Sequence, residues 1–139
     1  SGAVMFELHP QLAADTVVLG RLPLSLVLLV KDANYPWVIL VPEREDITEI
    51  HQLETQDQQQ LMTESCDVSK ALQGHFSGDK MNVAALGNMV PQLHLHHVVR
   101  YKTDGAWPGP IWGVQPAKGY SGAALQSLQG ELKELLGLV

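Results

Sequence analysis

Three of the chain's six histidines, His94, His96 and His97, fall within four positions. On an extended backbone side chains alternate faces, so Gln92, His94, His96 and Val98 share one face and Leu93, Leu95, His97 and Val99 the other. Imidazoles two residues apart on a strand stand roughly 6.5 to 7 Å apart, a spacing that suits joint work on one phosphate or one metal ion. His97 points away from that pair and reads as structural. Three roles are open to His94 and His96. They are ordinary imidazoles on a partly solvated face; or two ligands of a metal, where a closed zinc site needs four and a catalytic one at least three; or a nucleophile and its helper at phosphorus, where neutral imidazole attacks and a nearby donor takes up the developing charge. No local spacing nominates a third metal ligand among His9, His51, His75 and the carboxylates.

Positioning such a pair calls for a sheet. Residues 17–19, 25–30 and 37–41 are short runs rich in Val, Leu and Ile, separated by Gly20, Pro23 and Asp32-Ala33-Asn34-Tyr35-Pro36, and they predict three strands. The second and third are apolar on both faces, as central strands covered on each side would be, with a partner subunit as one conceivable cover. From Thr55 to about Phe76 the period turns helical. Thr55 and Gln58 form a capping-box pattern, Leu61, Ser65, Val68 and Leu72 make a stripe beside Met62, Cys66 and Phe76, and Gly74 and Gly78 mark the end. Two more strands follow, at about 81–86 and 93–100, and Glu45 and Asp46 read as the start of a short helix. From Ser121 onward, Leu125, Leu128, Leu132 and Leu135 predict an amphipathic terminal helix. The sum is an α+β fold, a mostly antiparallel five-stranded sheet with one long helix and a C-terminal helix. It reads as a single domain over 1–139, with its core at about 16–101 and a loop and last helix at 102–139. Residues 104–113 break the regular pattern as a Pro/Gly loop carrying Trp107 and Trp112, either pinned by aromatic packing or facing a ligand.

Nine basic against fifteen acidic residues give a net charge of −6, which argues against bulk electrostatic binding of nucleic acid or anionic membranes. A phosphate ligand would need a local site. With 45% apolar and 17% charged residues the chain is globular, with apolar surface to spare for association. Its longest nearly apolar stretch, 22–30, is interrupted by Pro23 and Ser25 and falls short of the roughly 18 to 20 residues of a membrane span. The lone Cys66 cannot form an internal disulfide, fits a reducing, cytoplasmic setting and reads as a small packing thiol. Lys31 and Arg100 read as solvated cations, and Ser1-Gly2 ahead of Met5 carries no functional weight.

The run Gly87-Asn88-Met89-Val90-Pro91-Gln92-Leu93-His94-Leu95-His96 resembles the signature of the histidine triad family: a glycine, an amide residue, a spacer, then alternating histidines and apolar residues. Upstream, Leu28-Leu29-Val30-Lys31-Asp32 and Trp37-Val38-Ile39-Leu40-Val41-Pro42 look like the family's strand pair, with the long helix between the two halves. The resemblance implies a compact α+β domain, usually a homodimer, that binds a nucleoside phosphate and cleaves at its α-phosphorus without a cofactor or metal. By position His94 matches the nucleophile and His96 the last triad histidine. Gly87, Asn88, Met89 and Val90 match the phosphate turn, Asn82 a position near the phosphate and Asp32 the ribose ligand. Two departures stand out. Gln92 occupies the place of the first histidine, where an amide can donate to phosphate yet cannot carry a proton near neutral pH, and Met89 replaces a hydroxyl residue. The implied function is a nucleotide-binding hydrolase or nucleotidyl transferase working through a nucleotidyl-histidine intermediate. The alternative is a non-catalytic nucleotide-binding module with a degenerate triad.

Overall fold

The computed structural model describes residues 6–138; Ser1 and Gly2 lie outside them. Five strands, β1 (Thr16–Arg21), β2 (Ser25–Val30), β3 (Trp37–Pro42), β4 (Lys80–Ala84) and β5 (Leu95–Arg100), form one sheet in the order β1-β2-β3-β5-β4. Every pairing is antiparallel. Three helices complete the fold: α1 (Pro10–Asp15), the long α2 (Thr55–Phe76) and α3 (Gly122–Leu136), with one 3-10 turn at Ile50–Gln52. The α+β architecture expected from the sequence is therefore present, with all five strands and both long helices. No described helix is long and apolar enough to cross a membrane.

β2 and β5 are buried along their whole length, so side chains of both parities are covered. On one face Val27, Leu29, Val38, Leu40, Leu95 and Val99 pack against Leu61, Val68 and Leu72 of α2 and Leu132 of α3. On the other, Leu26, Leu28, Val30, Ile39 and Val41 pack against Leu12 of α1 and against Phe6 and Leu8. Tyr35, Val98 and Ile111 join the loop after β5 to this second face. The chain thus supplies both covers of its central strands.

Several local expectations change. α1 is an element that the sequence pattern does not predict, although Pro10 occupies a first-turn position, where its missing N–H costs nothing, and His9 Nδ1 caps the helix by accepting from Gln11 N at 3.0 Å. β4 stops at Ala84 and β5 starts at Leu95, so the connection between them is longer than predicted. Gly87 with φ +79° turns the chain out of the extended region, and Pro91 has no N–H for a ladder. The Thr55/Gln58 capping box does not form. Glu54 is the N-cap without a side-chain bond, Gln58 Nε2 donates back to Leu53 O, and the actual capping box joins Glu49 and Gln52. α2 runs through Gly74 and ends where Ser77 turns left-handed. Glu45 and Asp46 form a turn rather than a helix start. Cys66 is exposed on α2 instead of packed.

Candidate active site

The two histidines stand where the loop 85–94 enters β5. His94 is the last residue before the strand and His96 its second, and both are buried, 6% and 7% exposed. Their rings meet edge to face, with centroids 4.9 Å apart. His97 faces α2, where its Nε2 meets Ser65 Oγ at 2.8 Å. Burial lowers its pKa to about 4, so it is a neutral core residue, as its parity suggested.

Hydrogen bonds fix which nitrogen of each ring bears the proton. His94 Nδ1 lies 2.7 Å from the carbonyl of Gln92. A carbonyl only accepts, so Nδ1 donates and the neutral ring keeps its lone pair on Nε2. Trp37 Nε1 donates to His96 Nδ1 at 3.0 Å. An indole N–H only donates, so the proton of neutral His96 sits on Nε2. Burial, then the neighbouring His94 and His97, lowers the His96 pKa to about 3 and keeps it neutral across the physiological range. The strand thus presents one imidazole lone pair and one imidazole N–H. Trp112 packs edge-on against His96 at 5.0 Å and against Trp37 at 6.1 Å, shielding the pair from water.

A cavity of about 520 Å³ opens over these rings. Its floor and walls include Leu12, Val30, Ile39 and Trp37, with Gly87, Asn88, Met89 and Val90 along one rim. The N–H groups of those four rim residues take no partner among the described residues. Met89 is 92% exposed. Six of the nine sequence-predicted residues therefore converge: His94, His96, Gly87, Asn88, Met89 and Val90.

The other three do not reach this cavity. Gln92 lies at a bend outside β5, and its amide bonds the backbone of Glu7 and His9. Asn82 accepts a 2.6 Å hydrogen bond from Arg100 Nη1. Asp32 borders a neighbouring cavity of about 390 Å³ that shares Asp15, Val30, Trp37 and Trp112 with the first. Its Oδ1 accepts from Asn34 N and Lys118 N, tying the β2–β3 turn to the segment before α3. Arg100, read as a solvated cation, is 1% exposed. It forms a two-bond ion pair with Asp104 and lies under the rings of Tyr35 and Trp107. Lys31 is exposed as expected. Sequence reasoning missed Gln11, Leu12, Asp15 and Thr16 as cavity residues; the Pro10 start signal for α1 was the clue. Among the described residues no group of three His, Cys, Asp or Glu is placed to hold a metal ion.

The antiparallel sheet thus carries two tautomer-fixed imidazoles beside a glycine turn. Residues 11–103 match the family model for the HIT domain, and the chain belongs to that family. It is similar to a histidine triad protein from Marinobacter aquaeolei VT8, with 54% identity and a TM-score of 0.93, covering 96% of this chain and 97% of that one. A histidine triad protein from Bradyrhizobium japonicum shares 47% identity at a TM-score of 0.91 over 94% and 98% of the two chains. One from Sinorhizobium meliloti 1021 shares 36% at 0.91 over 96% and 98%. A search of curated proteins gave no match.

Proposed function

We propose that this protein is a nucleotidyl hydrolase or transferase acting at the α-phosphorus of a nucleoside phosphate derivative. Membership of the HIT family supports the general class of nucleotide-binding hydrolases and transferases. The observation that carries the finer reading is the complementary pair of tautomers, a lone pair on His94 Nε2 beside a proton on His96 Nε2.

In the first step His94 Nε2 attacks phosphorus, the bond from phosphorus to the leaving group breaks, and the leaving group departs with that electron pair. As the His94 ring becomes cationic, its Nδ1–H bond to the Gln92 carbonyl becomes charge-assisted and strengthens. His96 Nε2–H and the N–H groups of Gly87, Asn88, Met89 and Val90 hold the phosphate oxygens; losing one such donor costs about 3 kcal/mol of barrier. Water then attacks phosphorus and displaces His94 Nε2, and one water proton passes to the departed leaving group or to solvent, giving a nucleoside monophosphate and the neutral ring. The apolar floor of Leu12, Val30 and Ile39 holds the base. Asp32, with Oδ2 uncommitted beside the shared wall, is the ribose acceptor.

The protein acts as a homodimer in this reading. β4 is an unpaired sheet edge, and Met62, Cys66 and Val83 are exposed where α2 and β4 line a concavity of about 1000 Å³. Its single cysteine fits a cytoplasmic setting. A screen of nucleoside phosphoramidates, dinucleoside polyphosphates and nucleotide sugars tests the proposal. The wild type is expected to release nucleoside monophosphate from at least one class, and His94→Ala, folded by circular dichroism, from none. Equal turnover by both would remove His94 from the mechanism.

A further inference from the structure

We infer that Gln92 is a positioning residue rather than a phosphate ligand: its side chain clasps the N-terminal segment and thereby sets the α1 wall of the nucleotide cavity. This rests on the reading of the cavity given above. Gln92 Nε2 donates to Glu7 O at 2.8 Å, and Oε1 accepts from His9 N at 2.9 Å. A primary amide offers a donor and an acceptor side by side, and here it meets a backbone carbonyl and N–H two residues apart as a neighbouring strand would. The two nitrogens of a histidine ring point apart and cannot make that parallel pair. The residue that breaks the triad pattern is thus matched to a different partner.

The clasp leads directly to the wall. His9, one end of it, is the cap of α1, and Pro10 begins the helix. Six residues cannot hold a helix unaided, so the placement of α1 depends on what fixes its ends. At the far end Lys31 N donates to Asp15 O and Thr16 Oγ1 to Leu12 O. At the near end there are the Gln92 clasp and the packing of Phe6 and Leu8 on the second core. Between these anchors Gln11, Leu12 and Asp15 face the cavity. The carbonyl of Gln92 meanwhile holds His94 Nδ1–H. Main chain serves the nucleophile and side chain serves the binding wall, so substitution of the side chain separates the two.

Gln92→Leu and Gln92→His are compared with wild type and with Leu8→Ala, which loosens the same segment without touching residue 92. The readouts are amide hydrogen exchange over residues 7–15, calorimetric affinity for adenosine and guanosine monophosphates, and kcat and KM on whichever substrate the screen yields. Both Gln92 variants are expected to exchange faster over 7–15. They should bind monophosphate and substrate about tenfold more weakly, with kcat held within about twofold; Leu8→Ala should move the same quantities in the same direction. Unchanged exchange would overturn the clasp. So would a 10²- to 10³-fold fall in kcat at unchanged KM, the mark of a lost phosphate donor, or a rise in kcat in Gln92→His. If the wild type binds neither monophosphate, the cavity reading fails while exchange still decides the clasp.

Discussion

His94 and His96 differ in what holds their Nδ1 atoms, a carbonyl for one and an indole N–H for the other. In the proposed mechanism that difference separates the nucleophile from the donor, and Trp37 holds the tautomer of the donor. Trp37→Phe keeps an aromatic side chain, though a smaller one, and removes the N–H, leaving His96 free to carry its proton on either nitrogen. The expected outcome is a change in the His96 ring-nitrogen NMR shifts from one tautomer to a mixture, with kcat lower by about tenfold, or about 1.4 kcal/mol. Unchanged shifts would show that the indole does not fix the ring. The parity of the two histidines was legible because a strand's period of two is read directly from sequence. Trp37 was not, since its partner lies 59 residues away on a different strand. The partners of Gln92 lie 83 and 85 residues away, which is why its amide was assigned to the phosphate.

Asp104 anchors the start of the loop after β5. Both oxygens of Asp104 are engaged, by the Arg100 guanidinium and by the N–H groups of Tyr101, Ala106 and Trp107. The Arg100 hydrogen bonds hold its pKa well below the usual carboxylate range. Further along the same loop Ile111 is buried and Trp112 closes over His96. Asp104→Asn leaves Arg100 buried without its counter-charge, a loss on the order of 3 to 5 kcal/mol. It should lower Tm and speed proteolysis within 104–118; a melt and cleavage pattern like wild type would contradict this anchoring. The strands and long helices could be read because their periodicity runs over many turns or alternations. The short α1 offers fewer than two turns of pattern, and the burial of Arg100 depends on a loop whose path no periodicity records.

Across the whole molecule the buried histidines link stability to pH. Folding lowers the pKa of His97 to about 4 and of His96 to about 3, against an ordinary value near 6.5. Below pH 6.5 the unfolded chain therefore binds more protons than the folded one, so stability is fully present above about pH 6.5 and is lost as pH falls towards the folded values, at about 1.4 kcal/mol per unit per group. Thermal melts should give a Tm that is level above about pH 7 and falls steadily to about pH 5; a level Tm throughout would contradict the buried neutral state. With a net charge of −6, the proposed phosphate recognition rests on local groups, the rim N–H donors and two imidazoles. The proposed mechanism turns on a covalent nucleotidyl intermediate at His94. Rapid quench of the protein with substrate radiolabelled at the α-phosphorus, followed by peptide mapping under mildly basic conditions that preserve phosphoramidates, is expected to find label on His94 within the first turnover. Turnover to labelled monophosphate with no label ever on His94, at quench times shorter than one catalytic cycle, would contradict it.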